Sequence, residues 1–344
     1  MSIFSQVIGQ YRRWKIPVAT KNIIYHWKNR ELKKSFGNEN PDKVFYVIRP
    51  VNDKSRFYTG PILNLFANYF YVVSHLFYAE QMGWIPVVDQ LNYPVYNSVD
   101  EMINGTHNAW EYFFEQPSDY SLDEVYRSKN VVLSKRSWFG EHDMGYEISN
   151  YTNSEVLAEY KKMCDRIKLN APTRQYSENV MKSLFPENSR ILGVSYRYGG
   201  HSKACCEHAN GHPIQPGNSE LVSLARQRFS EWRMDYVFLS SDESTIVDDF
   251  RSEFGDRLLV LPRIRRKSGQ LFDSSSPNPM YTESNLYGTT LEYISEVVLI
   301  SKCNAIISSV TSGIRFSIVA NCGNYEFCEI LDKGRFEDKR KRKG

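Results

Sequence analysis

Arg197 follows the apolar run Arg190-Ile-Leu-Gly-Val-Ser-Tyr196 and precedes Tyr198-Gly199-Gly200. A guanidinium just past a buried strand offers a planar fork of N–H donors that matches a diphosphate, and the two glycines let backbone approach it closely. Two other runs end in a similar way. Ser240-Ser241-Asp242-Glu243 leads from an apolar stretch into a helical pattern, and so does Ser308-Ser309-Val310-Thr311-Ser312-Gly313. Hydroxyls and aligned N–H groups at a helix N-terminus bind anions, because the positive end of the helix dipole lies there. Each has an ordinary alternative, Arg197 as a salt-bridge partner and Asp242 as a helix cap. Three such ends within one half of the chain point to a site for a phosphorylated ligand.

Other chemistry-bearing groups are more isolated. His212, in Gly-His-Pro, either contacts a substrate or caps a turn. His201, Cys205, Cys206, His208 and His212 crowd twelve residues. Their spacing lacks the C-x₂-C pairing of structural zinc sites, so no metal centre is expected and the segment reads as a variable loop. There is no G-x-G-x-x-G after an early strand, no G-x-x-x-x-G-K-[ST] and no G-x-S-x-G, which argues against a dehydrogenase, a P-loop enzyme and an α/β-hydrolase.

The elements that must position these residues alternate. Residues 43–49 form a β-rich run, 63–81 carry apolar side chains at helical spacing, Gly83 stops that helix, and 84–89 form the next strand. Strand, helix and strand in this order make a parallel βαβ unit. Another strand is expected at 130–134, with helices at 154–169 and 177–184 passing between halves. The second half reads strand 190–196, helix 219–232 capped by Asn218 or Ser219, strand 235–240, helix 243–254, strand 258–261, helix 290–302, strand 305–308 and helix 313–320. That is a doubly wound α/β pattern, in which ligands bind beyond the carboxyl ends of the strands. Residues 267–284, rich in Ser and Pro, form a long loop of the sort that often serves function.

Bulk properties agree with two α/β domains. The chain has 344 residues, of which 41% are hydrophobic and 24% charged, enough for a sizeable core and incompatible with wholesale disorder. A net charge of +3 is too small to imply nucleic acid. Charge is concentrated at the ends: eight basic residues lie between Arg12 and Lys34 against one acid, Glu31, and Lys339-Arg340-Lys341-Arg342-Lys343 precedes the last residue. Both ends suit either an anionic membrane surface, with Ile3, Phe4, Ile8, Tyr11 and Trp14 as anchors, or plain solvation. No run of ~18 apolar residues exists and no signal peptide is recognisable. The six cysteines lack disulfide-framework spacing, so the expected setting is cytoplasmic, peripheral at the inner face of the membrane if the basic ends bind it.

The second half resembles the superfamily of GDP-fucose-dependent transferases (α1,2-, α1,6- and protein O-fucosyl). The resemblance runs through Gly193-Val-Ser-Tyr-Arg197, Phe238-Leu-Ser-Ser-Asp242, Tyr281-Thr-Glu-Ser-Asn-Leu286, Leu291-Glu-Tyr-Ile-Ser-Glu296, Leu299-Ile-Ser-Lys-Cys303 and Ser308–Ser312. Residues 68–89 are similar to its first helix–strand unit. Asn108-Ala-Trp-Glu-Tyr-Phe-Phe-Glu-Gln116 and Gly211-His-Pro-Ile-Gln-Pro216 look like a bacterial branch found among surface-polysaccharide enzymes.

This resemblance implies a GT-B fold, two Rossmann-like doubly wound domains facing a cleft. A basic leader over 1–42, an acceptor-side domain over 43–170, a nucleotide-sugar domain over 171–330 and a basic tail over 331–344 are expected. It implies a metal-independent, inverting glycosyltransferase with no cofactor beyond its donor, GDP-fucose, and a glycan acceptor, lipid-linked if the ends bind membrane. Arg197 would hold the β-phosphate, Ser309, Thr311 and Ser312 the phosphate oxygens, Asp242 the pocket floor and Glu296 the guanine. A solvent-facing helical acid is the alternative for Glu296. Asp89, Glu111 and Glu115 are the candidates for the base, because the first half would hold the acceptor. Many relatives have an acid where this chain has Gly200, and a non-catalytic glycan- or nucleotide-binding protein is the rival reading, ahead of a nucleic-acid-binding protein that would use the basic ends.

Overall fold

The computed structural model describes residues 31–50, 65–135, 144–145, 147–197, 213–265 and 286–335. Two sheets organise them. The first contains β1 (Leu32–Lys34), β2 (Phe45–Ile48), β3 (Ile85–Val88) and β4 (Val131–Leu133) in the order β1-β4-β2-β3. β2 pairs in parallel with both neighbours, so Phe-Tyr-Val-Ile is an uninterrupted apolar run buried on both faces. β1 is antiparallel to β4 and closes the edge with exposed Lys33 and Lys34, charges that discourage further strand pairing. Part of the expected basic leader is therefore sheet.

At the other edge a side chain takes the place of a strand. The Gln116 amide donates to Val88 O at 2.9 Å and accepts from Val88 N at 2.8 Å, the pair of bonds a neighbouring backbone would make.

Between β2 and β3 runs α1 (Leu65–Met82), buried on nearly every side. Gly83, at φ +66°, takes the left-handed turn that ends it and sends the chain into β3. A short α2 (Leu122–Val125) precedes β4, held by a capping box between Ser121 and Glu124. Three helices then lead to the second half: α3 (Ser149–Thr152), α4 (Ser154–Cys164) and α5 (Ala171–Leu184). Asn153 caps α4. Asn170 caps α5 ahead of Pro172, so α5 begins six residues before the apolar pattern at 177 predicts.

The second sheet is all-parallel, in the order β7-β6-β5-β8-β9. Its strands are β5 (Ile191–Tyr196), β6 (Tyr236–Ser241), β7 (Leu258–Leu259), β8 (Ala305–Ser309) and β9 (Phe327–Leu331). The helices are α6 (Asn218–Glu231), α7 (Ser244–Phe254), α8 (Leu286–Ile300) and α9 (Ser312–Asn321). The cap of α6 falls on Gly217, without a side-chain bond, rather than on Asn218 or Ser219. Strands are added outward from β5 to β7, then the chain crosses by α8 to start β8 on β5's other side. That reversal is the switch point of a doubly wound sheet.

Side chains alternate across this sheet with a period of two. Leu192, Val194, Val237, Leu239, Ala305 and Ile307 pack with α6 and α7, while Ile191, Phe238 and Ile306 face α8 and α9. Gly193 allows the close approach on that second side, since a Cβ there would lie 3.0 Å from Cys303 Sγ and 3.1 Å from Ile300 Cδ1.

The core on that side continues into the first half. Tyr46, Ile48, Val88 and Val132, most of α1, and residues of α8 and α9 belong to one cluster. Phe66 of α1 touches Tyr293 of α8 (ring centroids 5.4 Å) and Phe316 of α9 (5.0 Å), and Arg315 lies 4.3 Å over the Phe70 ring. The two α/β units share an apolar spine. Arg335, at the start of the expected basic tail, donates to Glu147 at 2.8 Å and makes an antiparallel bridge with Pro213.

Candidate functional site

β5 and β8 are neighbours at the switch point, and the chain leaves their carboxyl ends through Arg197 and through Ser309–Ser312 respectively. Thr311 is the N-cap of α9; its Oγ1 accepts from Ile314 N at 3.3 Å and its carbonyl from Arg315 N at 2.9 Å. The N–H groups ahead of Ile314 fall outside the helix ladder and project past its end, where the dipole favours an anion. Gly313 has a steric reason to be glycine: a Cβ would stand 2.6 Å from Tyr293 Oη and 3.1 Å from Val297 Cγ2.

Tyr293 marks where the pieces converge. Loss of water pushes its phenol up to about 12. Arg197 and Arg263 pull it down, while Asp242 and Glu296 push it up, so four charged groups from four segments lie within electrostatic reach of one hydroxyl. It stays a neutral donor across the physiological range.

Two polar atoms here are buried without a hydrogen-bond partner among the described residues, Ser309 Oγ and Asp242 Oδ1. Such orphans are uncommon in native interiors and mark places where a further group completes the bonding. Both belong to residues expected to line the ligand. Ser308, by contrast, is used up: its Oγ donates to the main chain, to Ser195 O at 3.2 Å or Ser309 O at 2.8 Å.

Glu296 is placed differently from the expectation. Its carboxylate, 0% exposed, accepts from Arg263 Nε and Nη2 (both 2.9 Å), from Arg265 Nη2 (3.2 Å) and from Ser240 Oγ (2.9 Å). Four donors fill its lone pairs, so it offers a base nothing further, nor does it face solvent. The arginines also grip the main chain: Arg263 Nη2 and Arg265 Nε donate to Ser241 O, and Arg265 Nη2 to Leu261 O. The cluster thus nails the end of β6 to the segment after β7 and to α8. Burial alone lowers both guanidinium pKa values; the bidentate bond to Glu296 overcomes this for Arg263, whereas Arg265, with one bond, stays lowered. Both remain cations, which leaves the triad one positive charge in excess. Arg263 and Arg265 were missed in the sequence, although Pro262-Arg-Ile-Arg-Arg-Lys267 after an apolar run was a visible signal.

The first half corrects one further expectation and narrows another. Asp89, 0% exposed at the end of β3, accepts from Leu91 N (3.1 Å), Asn92 N (2.9 Å), Asn92 Nδ2 (3.0 Å) and Tyr126 Oη (2.6 Å). Glu111 accepts from Thr106 Oγ1 (2.8 Å), Asn108 Nδ2 (3.1 Å) and Gln116 Nε2 (2.6 Å). Both carboxylates are turn locks; four donors fill the lone pairs of Asp89, whereas half-buried Glu111 has three donors and keeps acceptor capacity on Oε2. Glu115 is exposed and only its main chain is engaged, by Trp110 Nε1 and Lys168 O. His212, with His201, Cys205, Cys206 and His208, lies outside the described residues. Among the described residues no cluster of His, Cys, Asp or Glu is arranged to hold a metal, and no helix is long and apolar enough to cross a membrane.

No protein-family profile matches the chain, and no curated protein matches it. Similar solved structures include NodZ alpha-1,6-fucosyltransferase soaked with GDP-fucose, 14% identical, over 81% of this chain and 92% of that one, with a TM-score of 0.44. They also include the fucosyltransferase NodZ from Bradyrhizobium (12% identical, 80% and 92% covered, TM-score 0.43). POFUT1 in complex with GDP is a third (10% identical, 85% and 76% covered, TM-score 0.35).

Proposed function

We propose that this chain is a glycosyltransferase that takes its sugar from a nucleotide donor, with GDP-fucose the first candidate. The observation that carries the proposal is the pairing of Arg197 and the α9 N-terminus at adjacent strand ends of the switch point, with Ser309 Oγ and Asp242 Oδ1 orphaned beside them. The choice of GDP-fucose rests on the motif resemblance.

In this reading the diphosphate lies between Arg197 and the first turn of α9, held by Ser309, Thr311 and Ser312. An acceptor hydroxyl attacks the anomeric carbon, the bond to the β-phosphate oxygen breaks, and the electron pair leaves with the nucleoside diphosphate. Arg197 and the helix N–H groups offset the charge that develops there, without needing a metal ion. Glu296 acts at a distance by holding Arg263, Arg265 and the end of β6 in place. With Asp89 fully bonded and Glu111 engaged by three donors, exposed Glu115 is the freest of the three candidates to take the hydroxyl's proton. A lipid-linked glycan at a membrane surface is the acceptor that would give the basic ends a purpose; binding to anionic vesicles at low salt tests that part.

The catalytic part is tested by release of nucleoside diphosphate from a panel of nucleotide sugars, with and without cell-envelope glycans. Release that depends on the glycan and falls about 10²- to 10³-fold in Arg197→Ala is expected. Nucleotide binding without release from any donor would instead favour the non-catalytic reading, which Gly200 and the filled Asp89 carboxylate support.

A further inference from the structure

Arg49 immediately follows β2, at the carboxyl edge of the first sheet, and is built in more rigidly than its half-buried position requires. Its N–H donates to Ser134 Oγ at 3.0 Å, and its carbonyl accepts from Tyr71 Oη at 2.8 Å. Its Nε donates to Ser134 O at 2.7 Å, just past the end of β4. The guanidinium lies 4.7 Å over the Tyr93 ring. Every one of these partners is uncharged. Nη1 and Nη2 have no partner among the described residues, and no carboxylate there neutralises the charge.

Two acids lie in this neighbourhood, and neither forms an ion pair with Arg49: Glu31 accepts from Lys135 N at 2.6 Å and from Tyr46 Oη at 3.2 Å, and Asp89 sits beyond Tyr126. Arg49 lies near enough to Tyr126 to pull its phenol down against burial and Asp89, which together raise it. Yet the Asp89 carboxylate beyond that phenol is filled by its own four donors. Arg263 and Arg265, both buried, contrast with it, since they share Glu296. An arginine locked by a main-chain carbonyl and a ring, with its two outer nitrogens unspent, is a preorganised fork for a planar or tetrahedral oxyanion. Its place agrees, since the carboxyl ends of parallel strands are where such sheets bind ligands.

We propose that Arg49, stacked on Tyr93, is a second oxyanion site, which binds a carboxylate or phosphate of the acceptor. The anion site stands on its own geometry; its assignment to an acceptor rests on the glycosyltransferase reading above. The donor diphosphate has its own cation, Arg197, on the other sheet.

The test is calorimetric titration of the full chain with inorganic pyrophosphate and, separately, with glucuronate. It uses wild type, Arg197→Ala, and Arg197→Ala combined with Arg49→Gln, Arg49→Lys or Tyr93→Leu. Arg197→Ala is expected to keep binding one of the two anions. Arg49→Gln should then weaken it by about tenfold or more, the worth of a charge-assisted fork. Arg49→Lys, which keeps charge but not geometry, should fall between, and Tyr93→Leu, which leaves the Nε–Ser134 bond, should weaken binding less than Arg49→Gln. Unchanged unfolding of Tyr93→Leu keeps the result readable should Arg49→Gln fold poorly. A pyrophosphate response assigns a phosphate-bearing acceptor and a glucuronate response an acidic sugar. The proposal is overturned if neither anion binds Arg197→Ala, or if Arg49→Gln leaves binding intact. Single Arg49→Lys, titrated with GDP, separates the two claims: weaker GDP binding would hand Arg49 to the donor, whereas an anion response with no nucleotide response anywhere would sink the donor reading and keep the site.

Discussion

Glu296, Asp89 and Glu111 show how little a carboxylate's identity says about its role. Each is the residue type that binds a base or accepts a proton; Glu296 and Asp89 have their lone pairs filled by neighbours from the same fold, and Glu111 has both oxygens engaged by three donors. For Glu296 the consequence is measurable. Glu296→Gln leaves Arg263 and Arg265 buried without their counter-ion, a loss of about 3–5 kcal/mol. Urea denaturation should show that loss, while the order of nucleotide preference stays as in wild type. A changed preference at unchanged stability would return Glu296 to the base. Arg197 differs in that its place was legible: the apolar run before it is β5, and the residue stands just past that strand's carboxyl end. Arg263 and Arg265 were harder to read, because their partner lies more than thirty residues away on another element and only folding brings them together.

Among the elements, α9 carries the argument, and its first turn works only if α8 can press against it. Gly313→Ala would drive a methyl into Tyr293 Oη, 2.6 Å from its place. Overpacking of this kind costs about 1–3 kcal/mol. Adding Tyr293→Phe should recover much of that stability, read by thermal unfolding of the two single variants and the pair; no recovery would mean that the hydroxyl is not the obstacle. Most strands were legible because a strand buried on both faces is a continuous apolar run, as in β2, β5 and β8. β1 was not, since Leu-Lys-Lys at an exposed edge has no such pattern, and β9, Phe-Cys-Glu-Ile-Leu, is an edge strand with its first residues exposed. The early start of α5 was signalled by Asn170 and Pro172, a capping signal that the apolar periodicity outweighed.

For the whole molecule, the expectation of two α/β units holds, but they are not independent bodies joined by a linker. Phe66 meets Tyr293 and Phe316, and one cluster runs from the inner face of the first sheet to the inner face of the second. Periodicity announces that a helix such as α1 is buried all round; it does not say that part of its cover comes from residues more than two hundred positions later. A shared core predicts one cooperative unfolding transition for the described units, shifted as a whole by Phe66→Ala at a cost of about 3–5 kcal/mol. Two transitions, with only one displaced, would mean that the spine does not couple them.

The central claim is that Arg197 and the α9 N-terminus form a nucleotide diphosphate site, and the most direct measurement is calorimetric titration with GDP, UDP, ADP and dTDP of wild type and Arg197→Ala. The account predicts binding of GDP ahead of the others, weakened about tenfold or more in Arg197→Ala, the scale of a charge-assisted bond to phosphate. Binding of UDP or dTDP in its place would keep the site and change the donor. No binding of any nucleotide, or equal binding by the variant, would contradict it.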